Sequence, residues 1–220
     1  MSKRGQDVVD FSADKAAALK LQNVSRETLQ RLEHFVDLLL LWQQKMNLIA
    51  PSTIPFIWTR HVADSLQLLE HAPDAKIWLD FGSGGGFPAI PIACALAERT
   101  GSMVHLVESN GKKAAFLREA VRVTGVRAQV HLARAEKFSL SPVESVDVVT
   151  ARALSPLKLL CDQAFPWIEK GALALFPKGQ DIDAELTEAT KYWTIEAEVA
   201  PSKTSATGCI VIVRHLHPVG

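Results

Sequence analysis

The segment Asp80 to Pro88, DFGSGGGFP, holds the densest chemistry in the chain. It follows a short apolar run, and glycines at such a strand end let the backbone turn sharply and approach a ligand closely, at the carboxyl edge where parallel sheets bind their ligands. Gly84, Gly86 and Ala89 also fit the spacing G-x-G-x-x-A of a dinucleotide site, so spacing alone leaves the ligand open. Charge separates the two readings. A pyrophosphate wants helix-end amides and no neighbouring carboxylate, yet Asp80 stands two residues before Gly82, where it repels phosphate and favours a cation. S-adenosylmethionine, with its sulfonium and amino groups, is such a cation, and Ser83 belongs to the same loop. Glu108 closes the next apolar run, where an acid can accept bonds from both ribose hydroxyls. That supports an adenosine cofactor without choosing which.

Other polar residues stand where function and structure compete. His61 and Asp64 are three apart on an expected helix, so they share a face as a structural pair or a substrate site. Arg152 directly follows an apolar strand and needs a carboxylate or ligand partner. Lys178 also leaves a strand at the carboxyl edge. Asn47, near a helix end, fits a cap as well as a site. Cys94, Cys161 and Cys209 are widely spaced and odd in number, without metal or disulfide spacing, and read as small buried hydrophobes.

The elements that must hold these residues follow from periodicity. From Ser12 to about Asn47, Leu29, Leu32, Val36, Leu39 and Leu40 recur at helical steps, with Ser25 as a candidate cap. Beyond Pro51 to Pro55, a second helical stretch runs from Trp58 to about His71. Strands are expected at 76–81, 103–107, 129–132, 146–151 and 172–176, alternating with helices at 90–97, 112–124, 156–170 and 183–191. This βαβ alternation means a doubly wound, mostly parallel sheet. Two further strands, 194–199 and 209–214, have no helix between them and form an antiparallel hairpin. Two regions result: a helical appendage over 1–73, and an α/β domain over 74–220, Rossmann-like, with a seven-stranded sheet.

The chain has 220 residues, and its 24 basic and 24 acidic side chains cancel. Any contact with nucleic acid must therefore come from a local patch. Between Ser109 and Leu140, seven cations (Lys112, Lys113, Arg118, Arg122, Arg127, Arg134, Lys137) face two acids, Glu119 and Glu136. Arg118 and Arg122 are four apart and fit neighbouring phosphates. Trp42, Trp58 and Phe87 are candidates to stack on a base, although such spacing more often means core. The leading residues 1–15 are charged and lack the apolar core of a secretory signal, and no run reaches a membrane span. The expectation is a cytoplasmic protein with no membrane partner and no metal.

Several separated segments resemble the bacterial glucose-inhibited division protein B family: MNLIA (46–50), RHVADSL (60–66), DFGSGGGFPAIPIA (80–93), VESNGKKAAFL (107–117), RAEKF (134–138), VVTARAL (148–154) and PKGQ (177–180). The resemblance implies a class I methyltransferase fold and transfer of a methyl group from S-adenosylmethionine to N7 of a guanine in small-subunit (16S) ribosomal RNA. It also implies that Gly82 and Phe87 line the cofactor, that Ala135 and Glu136 lie near its adenine, and that Arg152 closes the pocket. Asn47, Arg60, His61, Asp64, Arg134 and Lys178 would gather near the methyl donor or the RNA. Ala89 departs from the pattern, where many relatives carry glycine.

Guanine N7 has an in-plane lone pair and no proton to lose, so no general base is required, and no catalytic dyad is evident in the sequence. Arg134 and Lys178 are candidates to bond O6 and select guanine. Because the basic patch is modest, naked RNA should bind weakly and an assembled 30S particle is the expected partner. Two rivals remain: a small-molecule methyltransferase with the N-terminal helices as a lid over a closed apolar pocket, and a nicotinamide-dependent or non-catalytic nucleotide-binding protein.

Overall fold

A computed structural model describes residues 10–140 and 145–220. Residues 1–9, part of the stretch expected to lack a secretory signal, lie outside the described residues.

The helical run splits into α1 (Ser12–Leu21) and α2 (Arg26–Gln43). Ser25 divides them, because its side chain accepts the Thr28 backbone N–H and satisfies an orphan donor of the new helix. After a 3₁₀ turn (Pro51–Phe56), the stretch that reads as one helix changes pitch twice: a π turn (Trp58–Ala63), a short α turn α3 (Asp64–Leu66), and a 3₁₀ turn (Gln67–His71). The start of the π turn is tied to α1, since Asp14 accepts the backbone N–H groups of Trp58 and Thr59 at 2.8 and 3.3 Å.

The α/β region contains β1 (Ile77–Phe81), α4 (Ala89–Leu96), β2 (Met103–Glu108), α5 (Gly111–Thr124) and β3 (Ala128–Leu132). It continues with β4 (Val148–Ala151), α6 (Leu157–Ile168), β5 (Leu173–Lys178), α7 (Ile182–Ala189), β6 (Trp193–Pro201) and β7 (Cys209–Pro218). These form a seven-stranded sheet in the order β3-β2-β1-β4-β5-β7-β6, with β7 antiparallel to both of its neighbours. The parallel strands and terminal hairpin agree with the expected architecture. The strand order reverses between β1 and β4, which makes that gap the place where a ligand crevice opens.

One apolar cluster covers the sheet face under α2, α4 and α5, joining Phe35 and Leu39 to Trp78, Ile90 and Phe116. The other lies under α6 and α7, around Leu79, Phe81, Phe176 and Leu160. Trp58 is buried in the first cluster and Trp42 packs against Phe116, so both act as core rather than as base platforms. Burial pushes the Cys94 and Cys161 thiols up to about 12, which fits their reading as inert hydrophobes. Among the described residues, no helix is long and apolar enough to cross a membrane, and no group of His, Cys, Asp or Glu is placed to hold a metal.

Candidate functional site

Three cavities run along the carboxyl edge of the sheet and share walls. The first, about 260 Å3, is lined by Gly82, Arg134, Ala135, Glu136 and Leu154. The second, about 170 Å3, is lined by Gly82, Ser83, Gly84, Gly85, Phe87, Lys113 and Arg152. The third, about 410 Å3, is lined by Arg60, His61, Asp64, Arg152, Lys178 and Glu185, with Ser202, Ser205 and Thr207 of the β6–β7 loop. Gly82 joins the first two, and Arg152 joins the second to the third.

The glycine loop is shaped by its surroundings. Gly82 has φ +64°, and a Cβ there would fall 2.5 Å from Leu154 Cδ1. Only glycine is unstrained in that conformation with so little room. Gly85 lies against the appendage, where a Cβ would fall 2.7 Å from the Leu48 carbonyl oxygen. The Leu48 turn is held in its place by Gln43, which accepts the N–H groups of Leu48 and Ile49 at 2.8 and 3.1 Å and donates to the Ile49 carbonyl at 2.9 Å. Gly85→Ala therefore forces the loop and the appendage apart. The expected cost is about 1–3 kcal/mol, read as a lower urea midpoint with unchanged slope; an unchanged midpoint would mean that the loop yields freely.

Asp80 and Glu108 stand behind this loop rather than on the cavity walls. Glu108 is buried, and its two oxygens accept the Gly84 and Asn110 backbone N–H groups at 2.9 and 2.7 Å. In this structure it fixes the loop to the start of α5, a role that the ribose reading did not include. Asp80 is only 1% exposed. Its register opposite Thr150 on β4 lets that hydroxyl donate to Oδ1 at 2.8 Å, whereas Oδ2 has no partner among the described residues. Burial pushes its pKa up to about 7. The nearby Ser83 and Thr150 hydroxyls and the Arg152 charge oppose the shift, while the Glu108 charge adds to it. The carboxylate expected to be a fixed negative charge is thus poised near neutrality.

Arg152 leaves β4 just before Ala153, whose φ of 52° is unusual for a residue other than glycine. Its guanidinium lies 3.4 Å from Asp64 Oδ2 and 3.3 Å from the Arg60 carbonyl, and donates to His61 Nδ1 at 2.8 Å. It also sits 5.2 Å over the Phe87 ring, and His61 stacks on the same ring at 4.8 Å. A guanidinium only donates, so Nδ1 accepts and the His61 proton sits on Nε2, 2.8 Å from Thr53 Oγ1. Burial, reinforced by the Arg152 and Arg60 charges, lowers the His61 pKa to about 3. His61 is neutral throughout the physiological range, with both nitrogens engaged.

Lys178 pairs with Glu185 at 2.6 Å and donates to the Ser155 carbonyl at 2.9 Å, which holds it on the wall of the third cavity. Arg60, His61, Asp64 and Lys178 therefore come together. Arg134 does not join them; it lines the first cavity beside Ala135 and Glu136. Asn47 is exposed on the turn before Leu48 and borders none of the three cavities. Arg122 is held bidentately by Glu119 in an exposed i,i+3 ion pair, which any phosphate contact of Arg122 beside Arg118 would have to open. Gln43, Thr53, Gln67 and Glu185 were not anticipated from the sequence, because each belongs to a polar contact with no local motif.

The likeness to known proteins points the same way. A family model described as rRNA small subunit methyltransferase G matches residues 28–213. A ribosomal RNA small subunit methyltransferase G of Bradyrhizobium sp. is 61% identical over 207 residues, 92% of this chain and 91% of that protein. The protein of the same name from Rhodopseudomonas palustris is 58% identical over 217 residues, 99% of this chain and 93% of that one. Among solved structures, an O-methyltransferase from Bacillus cereus gives a TM-score of 0.61 at 17% identity, covering 92% of this chain and 97% of that one. A putative O-methyltransferase from Klebsiella pneumoniae gives 0.59 at 16%, covering 92% and 96%. At such identities the structural likeness concerns the fold alone, that of class I methyltransferases.

Proposed function

The chain belongs to the rRNA small subunit methyltransferase G family, and from that membership we propose that it methylates N7 of a specific guanine in small-subunit ribosomal RNA, in the cytoplasm, with the assembled 30S particle as its substrate. S-adenosylmethionine, when bound, supplies a methyl group on a positively charged sulfur. The residues present suit it: Gly82, without a side chain, lines two adjoining cavities, Ala135 and Glu136 line the first of them and would take its adenine end, and the unpartnered Oδ2 of Asp80 lies behind the loop. Arg152, at the junction of the cavities, divides the cofactor groove from the acceptor cleft.

One observation carries the reading of the acceptor. His61, the imidazole that lines that cleft among the described residues, is neutral and has both nitrogens committed, so it is not available as a general base. An acceptor nitrogen without a proton needs none. The protein's contribution is then placement, which can supply up to about 7–11 kcal/mol of barrier reduction. The charged walls around Arg60, Arg152 and Lys178 also differ from the closed apolar pocket that a small neutral acceptor would call for.

The test has two parts. Calorimetry should give heat with S-adenosylmethionine and its demethylated product and none with NAD; the reverse would remove the enzyme class. Methylation should be faster on 30S particles than on a short RNA hairpin and should fall steeply as salt rises from about 50 to 200 mM, because phosphate contacts release counterions. A salt-independent rate, or preference for the hairpin, would overturn the assignment of the particle as substrate.

A further inference from the structure

The Asp64 carboxylate faces two ways. Oδ2 points to Arg152 at 3.4 Å, while Oδ1 accepts from Thr204 Oγ1 at 2.6 Å and from Gln67 Nε2 at 2.8 Å. The Gln67 amide is oriented by its other end, because Oε1 accepts the Lys203 backbone N–H at 2.9 Å, and the residue is 2% exposed. Thr204 is oriented as well: its N–H donates to Ser202 Oγ at 3.2 Å, and the two hydroxyls are 3.1 Å apart. Thr204 and Lys203 lie on the loop between β6 and β7, whose ends close through a 2.9 Å bond from Ser202 N–H to the Gly208 carbonyl. The same loop brings Ser202, Ser205 and Thr207 to the wall of the cleft that Arg60, Arg152 and Lys178 line.

We propose that Thr204 and Gln67 are positioning residues for methyl transfer: by holding Oδ1 of Asp64 from two sides they aim Oδ2 at Arg152, and so set the guanidinium that walls both the cofactor groove and the acceptor cleft. The inference rests on the methyltransferase reading above and extends it to the hairpin loop. Its physical basis is the contrast in bond lengths. The two contacts on Oδ1 are short and directional, whereas the Arg152 contact lies at the far limit of a useful bond, so a small rotation of the carboxylate breaks it. A free carboxylate would rotate; one held by two neutral donors does not. Arg152 would then lose one of the partners that keep its other arm on His61 and its face on Phe87. The β6–β7 loop thereby becomes part of the catalytic geometry although Thr204 itself lines none of the three cavities.

The experiment compares Thr204→Val, which keeps the shape and removes the hydroxyl, with Thr204→Ser, which keeps the hydroxyl, and adds Gln67→Met. For Thr204→Val and Gln67→Met, kcat on 30S particles is expected to fall about tenfold, the loss of one charge-assisted bond, while KM for RNA stays near wild type; Gln67→Met, which also leaves the Lys203 N–H without its acceptor, should lower the thermal midpoint as well. Thr204→Ser should restore kcat. The second readout needs no turnover: in the cofactor-free protein, the nitrogen resonances of His61 should move in Thr204→Val and return in Thr204→Ser. If they stay in place and kcat is unchanged, or if serine fails as valine does, the proposal is wrong. Should the wild type methylate no ribosomal RNA, the functional reading fails, yet the His61 resonances still decide whether Thr204 sets the network.

Discussion

Arg152→Ala is expected to reduce methylation at least about a thousandfold and to lower the unfolding free energy by about 3 kcal/mol, the low end for breaking a buried ion pair. The low end applies because the Arg152 and Asp64 side chains remain 17% and 16% exposed, and water screens part of the charge left behind. The catalytic loss is larger because this guanidinium meets Asp64, His61 and the Arg60 carbonyl together and lies on Phe87. Among the described residues, no other charged side chain walls both the glycine-loop cavity and the acceptor cleft. Arg152→Lys separates charge from shape. An ammonium can pair with Asp64, but it has no planar fork to reach His61 and no flat face for Phe87. The lysine variant should therefore recover most of the stability and little of the rate, as read by urea unfolding and single-turnover methylation. A lysine variant as fast as wild type would show that only the charge matters.

That network also marks where sequence reasoning stops. The glycine loop, the strand-end acids and the RHVADS segment were legible because each is local: a few neighbours in the chain already state the chemistry. The sheet was legible because alternating apolar runs leave few topologies open. Strand order was not read, and it governs the site. Arg134 follows β3 and Lys178 ends β5, four steps apart in the sheet, or roughly 19 Å at about 4.8 Å per strand. Both lie at the carboxyl edge but on opposite sides of the switch point, so the two candidates for guanine O6 stand apart: Arg134 lines the cavity beside Ala135, and Lys178 lines the cleft beside Arg152.

Other features escaped for different reasons. Thr204 meets Asp64 across 140 positions and Gln67 meets Lys203 across 136, and no short-range pattern records such pairs. The π turn at Trp58–Ala63 also escaped, because apolar spacing near 3.6 looks alike for α and π backbones over so few residues. Asp80 was legible as an acid and not as a buried one. Its burial follows from the β4 register, which places Thr150 beside it and leaves Oδ2 alone.

Asp80→Asn should move cofactor affinity and stability in opposite directions. For the wild type, a carboxyl that ionises near 3.8 when unfolded and near 7 when folded keeps more protons in the folded chain over that window. Stability contributed by protonated Asp80 is therefore present in acid and declines as pH rises from about 4 to about 7. Asparagine removes this slope and relieves the folded chain of a buried charge above pH 7, so the variant should be the more stable protein at about pH 8. A cationic ligand acts in the opposite sense, because it favours the ionised carboxylate. Its affinity for the wild type should rise from about pH 6 to about pH 8 with release of a proton, visible as a dependence of binding heat on the buffer's ionisation enthalpy. The Asp80→Asn variant should bind about 10- to 100-fold more weakly at about pH 8, the worth of a charge-assisted contact at low dielectric, with no pH slope and no released proton. Equal affinity of the two proteins in mild alkali, or a wild-type affinity that stays flat across the window, would mean that the Asp80 charge has no part in holding the methyl donor.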